Sequence, residues 1–202
     1  MSKEFSPYDT IRDNALKLAS DIHRSGFIPD VIYVSLRGGA YLGNVISEYF
    51  KVLRKNEGRP VFYAAVVARS YTDILTHERV MVDGWTYQPE FLRSGDKVLL
   101  VDDIFDSGRT INHLVEIILE KGIPRDDVKI AVHDYKIRTF KQDVMPIKPD
   151  FFSRRHVIES PEEDNWIHYL SHELVGLTPE EIKAQYTDPE VADILLRLFA
   201  NS

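Results

Sequence analysis

Short aliphatic runs alternate along this chain with segments whose apolar residues recur every three to four positions. Aliphatic runs bounded by polar and glycine residues predict buried strands, and the longer spacing predicts amphipathic helices. In residues 6–25 the apolar positions fall on one helical face, and Gly26 ends the segment. The pattern predicts four strands, at residues 30–36, 60–68, 95–103 and 127–135, and three helices, at residues 6–25, 40–51 and 109–121.

Strands that alternate with helices at this spacing predict βαβ units. We therefore expect an α/β fold with a mainly parallel sheet flanked by helices. Ligands of such sheets bind beyond the carboxyl ends of the strands. The segments that follow Leu36, Val67 and Val101 share that edge. Candidate chemistry is therefore expected in these three segments.

Two stretches lie outside the regular alternation. Residues from about 69 to 95 are polar, and we expect them to be irregular. Residues 178–200 open with a proline-initiated helix signal and continue into an amphipathic run. We predict a main domain at 1–177 and a C-terminal helical extension at 178–202, which forms an oligomer contact or a lid. A homodimer or a higher homo-oligomer is expected.

Composition narrows the possible classes. The chain of 202 residues has no cysteine, which excludes disulfides, zinc-thiolate sites and thiol catalysis. The N-terminus has no signal-peptide pattern, and no apolar run could span a bilayer. We expect a soluble, cytoplasmic protein without a membrane partner. The net charge of −7 and the lack of a basic cluster argue against nucleic acid. An anionic substrate would need local cations, backbone amides or a divalent metal ion.

Residues 98–110, VLLVDDIFDSGRT, combine acids with a phosphate-type turn. Asp102 and Asp103 follow the aliphatic strand directly, and alone they would be two solvated acids at a strand end. Gly108 then allows close backbone approach, and a helix begins with exposed amides, which suits a phosphate group. A ligand with vicinal hydroxyls and a nearby phosphate, such as ribose 5-phosphate, matches both features.

The same thirteen residues resemble the phosphoribosyl pyrophosphate motif of type I phosphoribosyltransferases. That resemblance implies the family fold, with a core and a small hood. It also implies Mg²⁺ held by Asp102 and Asp103, and a catalytic carboxylate, Asp106, near the base. The implied donor-binding residues of the motif are Asp102, Asp103, Asp106, Ser107, Gly108, Arg109 and Thr110.

Other segments resemble the purine branch of this family. Leu36, Arg37 and Gly38 are similar to its pyrophosphate loop, which often has a cis peptide between the first two residues. Arg69, Ser70 and Tyr71 are similar to the start of its mobile flap, which would continue through residue 90. Taken alone, the first segment could be an ordinary turn and the second a surface loop.

The resemblance extends to a purine site. Lys136 lies where the family places a lysine that binds O6 of a 6-oxopurine. Trp166 would stack on the base, and the Ile167 backbone would bind near its 2-position. Taken alone, Lys136 would be a solvated strand end and the Trp-Ile pair would be core. The small-molecule substrates implied are phosphoribosyl pyrophosphate and hypoxanthine, guanine or xanthine, in purine salvage.

Alternatives remain open at this point. A regulator of the same fold could sense nucleotide or phosphoribosyl pyrophosphate without turnover, and a pyrimidine or adenine enzyme is a second alternative. His133 and Asp134 put polar side chains in a strand expected to be apolar, which predicts an edge strand or an unusual interface. The segment after Trp166 departs from the family ending, so Glu173 is not assigned as a metal ligand.

Overall fold

The computed structural model describes residues 2–71, 79–141 and 145–200, with the side chains at 69–71 and 79 excepted. Its elements form two compact units, residues 1–171 and residues 172–202. The strands are β1 (Lys3–Ser6), β2 (Val31–Leu36), β3 (Phe62–Tyr71), β4 (Arg79–Trp85), β5 (Val98–Phe105), β6 (Val128–Arg138), β7 (Phe151–Ile158) and β8 (Trp166–Tyr169), and the helices are α1 (Tyr8–Arg24), α2 (Ala40–Leu53), α3 (Arg109–Glu120), α4 (Pro179–Gln185) and α5 (Pro189–Ala200).

The first unit is built on a six-stranded sheet in the order β4-β3-β2-β5-β6-β7. Every pair in it is parallel except β3 with β4. Val34 on β2 pairs with Val101 on β5, and Val101 pairs with Ala131 on β6. The carboxyl ends of these strands therefore meet at one edge. This confirms the predicted α/β fold with a mainly parallel sheet.

Alternate residues of the central strands fill two separate cores. Ile32 and Val34 of β2 pack in one core with α1 and α2. Val31 and Tyr33 pack in the other core with α3. Helices cover both faces of this parallel sheet, so the side chains on both faces are apolar. Each central strand is therefore a continuous aliphatic run in the sequence.

The polar stretch predicted to be irregular contains β4, so that prediction is wrong for Arg79–Trp85. This strand pairs antiparallel with β3. Val82 and Trp85 pack against the core beside α3, and the Trp85 ring lies edge-on to Tyr33 with centroids 4.7 Å apart. A seven-residue strand with only part of its side chains buried gives a weak hydrophobic pattern.

A second sheet consists of β1 and β8, which pair in parallel. Each of these strands has four residues. They lie more than 160 positions apart in the chain, since Lys3 pairs with Trp166. Such short, distant partners leave almost no periodic signal, and the sequence did not predict either strand. The small β1–β8 sheet is called the hood below.

His133 and Asp134 are both fully buried on β6. The prediction of an edge strand is wrong here, because β6 lies between β5 and β7. Asp134 instead accepts hydrogen bonds from His133 Nδ1, Arg154 Nε, His156 Nε2 and the Tyr169 hydroxyl, at 2.6 to 2.7 Å. Although burial alone would raise it, the hydrogen bonds from His133, Arg154 and His156 hold the pKa of Asp134 below its usual range.

We predict that Asp134→Asn destabilises the protein by about 2 kcal/mol at pH 7, the scale of a hydrogen bond to a charged group. A carboxyl group with a lowered folded-state pKa stabilises above its unfolded pKa of about 3.9. The difference from wild type should persist from pH 7 to about pH 5 and shrink below about pH 4. Urea unfolding across this range measures it. The exposed Asp126→Asn is the charge-matched control, and a loss that does not shrink in acid would contradict the prediction.

The second unit contains α4 and α5. Thr178 and Glu181 form a reciprocal capping box at the start of α4, which begins with Pro179. Val191, Ile194 and Leu198 of α5 are exposed. Among the helices described, none combines the length and apolar character needed to cross a membrane.

Candidate active site

The loop between β2 and α2 lies against the end of β5. Its peptide bond between Leu36 and Arg37 is cis, as the family resemblance implies. A Cβ atom at Gly38 would lie 2.2 Å from a carboxylate oxygen of Asp103. A Cβ atom at Gly39 would lie 2.6 Å from the carbonyl oxygen of Val101. Two consecutive glycines therefore allow this loop to reach the acids that end β5.

Asp102 and Asp103 occupy the carboxyl end of β5. The Asp103 amide donates to Asp102 Oδ1 at 3.0 Å, and the Ile104 amide donates to Asp103 Oδ1 at 2.8 Å. Burial and the neighbouring Asp103 raise the pKa of Asp102 well above its usual range, and a hydrogen bond with Ser35 opposes this only in part. A bound cation, or hydroxyl groups that donate to the pair, would favour the ionised form.

The turn that follows leads into α3 through Gly108. Gly108 has φ +79°, and a Cβ atom there would lie 2.1 Å from the Phe105 ring. Because glycine is the N-cap, no side chain caps α3 from that position. Ser107 is exposed beside this turn, and its Oγ accepts a long 3.4 Å contact from the Arg109 amide. The turn thus presents the positive end of a helix to a ligand.

A chain of charged side chains links this motif to β6. Arg138 donates to the carbonyl oxygen of Asp106 at 3.2 Å and to its Oδ1. The same guanidinium binds Asp164, which also accepts from Lys136 Nζ at 2.8 Å. Although burial opposes it, the hydrogen bonds from Arg138 and Lys136 lower the pKa of Asp164. Arg138 and Lys136 therefore form ion pairs with Asp106 and Asp164 between the turn and the hood.

Trp166 and Ile167 follow directly from this cluster. Lys136 Nζ donates to the carbonyl oxygen of Asn165 at 2.6 Å. The Trp166 side chain is 36% exposed, so it is not a core residue, whereas Ile167 is buried. The Trp166 and Leu170 amides bond to carbonyls at either end of β1. By the alternation of a parallel ladder, the backbone groups of Ile167 point away from β1.

The structure thus brings most of the predicted site residues to one region. The loop at Leu36–Gly38 contacts the acid pair, Asp106 is bridged to Asp164 through Arg138, and Lys136 contacts the segment that carries Trp166. Arg37 is exposed in its loop, and Thr110 lies in the first turn of α3. The backbone of β3 continues through Arg69, Ser70 and Tyr71 to the same sheet edge, but their side chains and residues 72–78 of the predicted flap lie outside the described part of the chain.

Sequence reasoning missed Arg138, the partner role of Asp164, and Asn112. The side chain of Asn112 bonds Gly108 O and both backbone groups of Ile147, all at 2.9 to 3.0 Å, and so fixes the turn to the segment before β7. One signal was available for Arg138. Asp134, Lys136 and Arg138 alternate along β6, which places three charged residues on one face of a strand.

The acid pair has the donor chemistry of a magnesium site. Mg²⁺ prefers oxygen ligands and is often held by one or two carboxylates together with substrate phosphates. Asp102 and Asp103 offer such oxygens. In the described part of the chain, no group of three or more His, Cys, Asp or Glu side chains could hold a metal ion. A cation held by this pair would take its remaining ligands from a substrate and water.

Comparisons with known proteins agree with this geometry. The family described as phosphoribosyl transferase domain matches residues 7–151. The bifunctional protein PyrR of Microcystis aeruginosa (strain NIES-843 / IAM M-2473) is 30% identical over 149 residues, which cover 73% of this chain and 79% of that protein.

Two solved structures have a similar fold. A purine phosphoribosyltransferase from Pyrococcus horikoshii Ot3 is 18% identical with a TM-score of 0.65, and the match covers 88% of this chain and 99% of that one. A xanthine-guanine-hypoxanthine phosphoribosyltransferase from Helicobacter pylori is 17% identical with a TM-score of 0.54, over 83% and 90% of the two chains. This chain belongs to the phosphoribosyltransferase domain family.

Proposed function

We propose that the protein transfers the phosphoribosyl group from 5-phosphoribosyl 1-pyrophosphate to a 6-oxopurine, forming the nucleotide and pyrophosphate. One observation carries the proposal: Arg138 binds both Asp106 of the donor motif and Asp164, the neighbour of the Trp166 segment. A sugar-phosphate site and a base site therefore adjoin. The names of the Pyrococcus and Helicobacter relatives support a purine acceptor.

The proposed reaction breaks the bond from the anomeric carbon to pyrophosphate oxygen, which leaves with the electron pair. A purine nitrogen forms the new bond to that carbon and gives up its proton. Asp102 and Asp103 would hold the ribose hydroxyls, and the turn at Ser107–Thr110 would hold the 5-phosphate. Mg²⁺, when bound, would neutralise pyrophosphate charge. Arg37 would add positive charge on the same side.

The base would bind between the hood and β6. Lys136 Nζ donates hydrogen bonds, which suits the 6-oxo acceptor of hypoxanthine, guanine or xanthine and not the amino group of adenine. Trp166 would stack on the purine, and the Ile167 backbone would bind near the 2-position. Asp106 would accept the proton from the purine nitrogen. We expect a homo-oligomer in the cytoplasm, acting in purine salvage.

A turnover assay tests the proposal. The protein is incubated with 5-phosphoribosyl 1-pyrophosphate and Mg²⁺, and with hypoxanthine, guanine, xanthine, adenine or uracil in turn, and nucleotide is separated and quantified. The expected result is product with at least one 6-oxopurine and none with adenine. Product with uracil alone would replace the purine assignment. No product with any base would favour a non-catalytic nucleotide or phosphoribosyl pyrophosphate sensor.

We predict that Trp166→Ala weakens purine binding about tenfold, the scale of one base–aromatic stack. Little change in the affinity for 5-phosphoribosyl 1-pyrophosphate is expected, because Trp166 lies on the base side of the site. Calorimetric titration with each ligand measures the two affinities. Phe91→Ala, which removes another exposed aromatic ring, is the matched control. Unaltered purine affinity in Trp166→Ala would remove this residue from the base site.

A further inference from the structure

One face of β6 carries three charged residues, and one of them, Asp134, has no role in the proposed reaction. Asp134, Lys136 and Arg138 alternate on this face, and the last two bond to Asp164 near the base site. Asp134 instead bonds deeper in the protein, to Tyr169 of the hood. All three residues therefore join β6 to the chain segment that carries Trp166, at successive levels along the strand.

The hydrogen-bond partners of Asp134 fix the position and orientation of its carboxylate. Each of its oxygens accepts two hydrogen bonds, Oδ1 from Arg154 and His156 and Oδ2 from His133 and Tyr169. The other ring nitrogen of His133, Nε2, lies 3.1 Å from Asn14 Nδ2. The acceptor facing Tyr169 is thus fixed by β6, β7 and α1.

The hydroxyl group of Tyr169 links Asp134 to the donor motif. Its hydroxyl hydrogen is shared between Asp134 Oδ2 at 2.7 Å and the carbonyl oxygen of Asp103 at 3.2 Å. Its ring is buried in the core beside α1. Tyr169 lies three positions after Trp166 on the same short strand. One hydroxyl group therefore joins the strand of the base site to the backbone of an acid of the sugar site.

We propose that Tyr169, oriented by Asp134, is a positioning residue that sets the separation between the base site and the ribose site. The proposal rests on the proposed function, in which Trp166 binds the purine and Asp103 the ribose. A ligand that spans both sites depends on this separation, whereas a ligand that occupies only the sugar site does not. Misplacement by about 1 Å can cost up to a hundredfold in rate.

The hood does not depend on this hydroxyl for its attachment. Arg154 also bonds Glu4 and Ser6 of β1, at 2.5 and 2.8 Å, and Lys136 holds the carbonyl of Asn165. Tyr169→Phe keeps the buried ring and removes only the bridging hydroxyl, so a folded variant is expected. Tyr33→Phe is a matched control. Tyr33 is fully buried, and its hydroxyl has no hydrogen-bond partner within the described residues.

The test compares two ligands in calorimetric titrations. GMP spans both sites, and 5-phosphoribosyl 1-pyrophosphate with Mg²⁺ occupies only the sugar side. Tyr169→Phe is expected to weaken GMP about tenfold and 5-phosphoribosyl 1-pyrophosphate less than about twofold. Tyr33→Phe should change neither affinity. Equal weakening of both ligands, which general loosening would produce, overturns the proposal, and so does unchanged affinity for GMP.

A double-mutant cycle separates positioning from stability. If Tyr169 acts by placing Trp166, then Tyr169→Phe should weaken GMP much less in a Trp166→Ala background than in wild type. Additive effects overturn the proposal. Because these readouts are affinities, they do not depend on turnover. A wild-type protein that binds GMP but makes no nucleotide would contradict the proposed function and leave the positioning role standing.

Discussion

Gly39→Ala is expected to lower nucleotide formation at least about a hundredfold, the scale of a 1 Å misplacement of catalytic groups. The backbone of Gly39 is in the ordinary right-handed helical region, so alanine meets no conformational barrier there. The substitution is unfavourable because the new methyl group would collide with backbone atoms. The new Cβ atom would lie 2.6 Å from Val101 O and 2.9 Å from both Asp102 Cα and Ser35 O. These atoms belong to β2 and β5 and cannot rotate away, so the loop must separate from Asp102. Initial rates with saturating 5-phosphoribosyl 1-pyrophosphate and purine measure the loss.

Two further glycine variants show whether contact with the acids is the cause. Gly58→Ala adds a methyl group with nothing within 4 Å, and we expect wild-type activity from it. The atoms nearest to the Cβ added by Gly38→Ala belong to the Asp103 carboxylate, a side chain that can turn aside at the cost of its place in the site. Its loss should be smaller than that of Gly39→Ala and should appear mainly as weaker binding of the donor. Full activity in Gly39→Ala would show that the Leu36–Gly39 loop does not take part.

The parts of this protein that sequence predicts are those whose signal is local. Each central strand is a continuous aliphatic run because both faces of the sheet are covered, so β2, β5 and the first part of β6 were recognisable. The acids and the turn at residues 98–110 also lie within one short stretch. In a parallel sheet all such strand ends meet at one edge. Local patterns were therefore sufficient to place the loops of the candidate site together.

The parts that sequence did not predict depend on contacts between distant positions. Arg138 meets Asp106 across 32 positions, and Tyr169 meets Asp103 across 66. The two carboxylates that Arg138 binds, Asp164 and Asp106, lie 26 and 32 positions away in the sequence, so the alternating charges of β6 mark Arg138 but not its partners. The fully buried Asp134 was unexpected for the same reason, because each of its donors outside β6 comes from a strand that lacks a strong periodic pattern.

Arg138 also contributes to the balance of charge within the candidate site. The chain carries a net charge of −7, and its site must receive a donor rich in phosphate. Arg138 and Lys136 place two cations against Asp106 and Asp164, so the acids of the base side are neutralised within the protein. Asp102 and Asp103 offer carboxylate oxygens near the carboxyl end of β5, which suits a role in binding a cation and ribose hydroxyls.

Asp106→Asn is expected to reduce the rate of nucleotide formation by about two orders of magnitude, the lower range of general acid-base catalysis. Arg138 donates to one carboxylate oxygen of Asp106 and to its backbone carbonyl. The asparagine amide oxygen can accept the same bond from Arg138. The variant should therefore keep the turn in place and lose only the ability to accept a proton from the purine nitrogen. Single-turnover rates at saturating substrates measure the chemical step without product release.

The position of Asp106 can be tested separately from its proton transfer. Asp126→Asn, which removes the same charge at an exposed position just before the amino end of β6, should leave the rate unchanged. Arg138→Gln keeps Asp106 as a carboxylate but removes the group that orients it. If orientation matters, this variant should be slower than wild type yet faster than Asp106→Asn, because a base remains. An unchanged single-turnover rate in Asp106→Asn would assign the proton to solvent or to another group, and would leave Arg138 as a structural link between the donor motif and the hood.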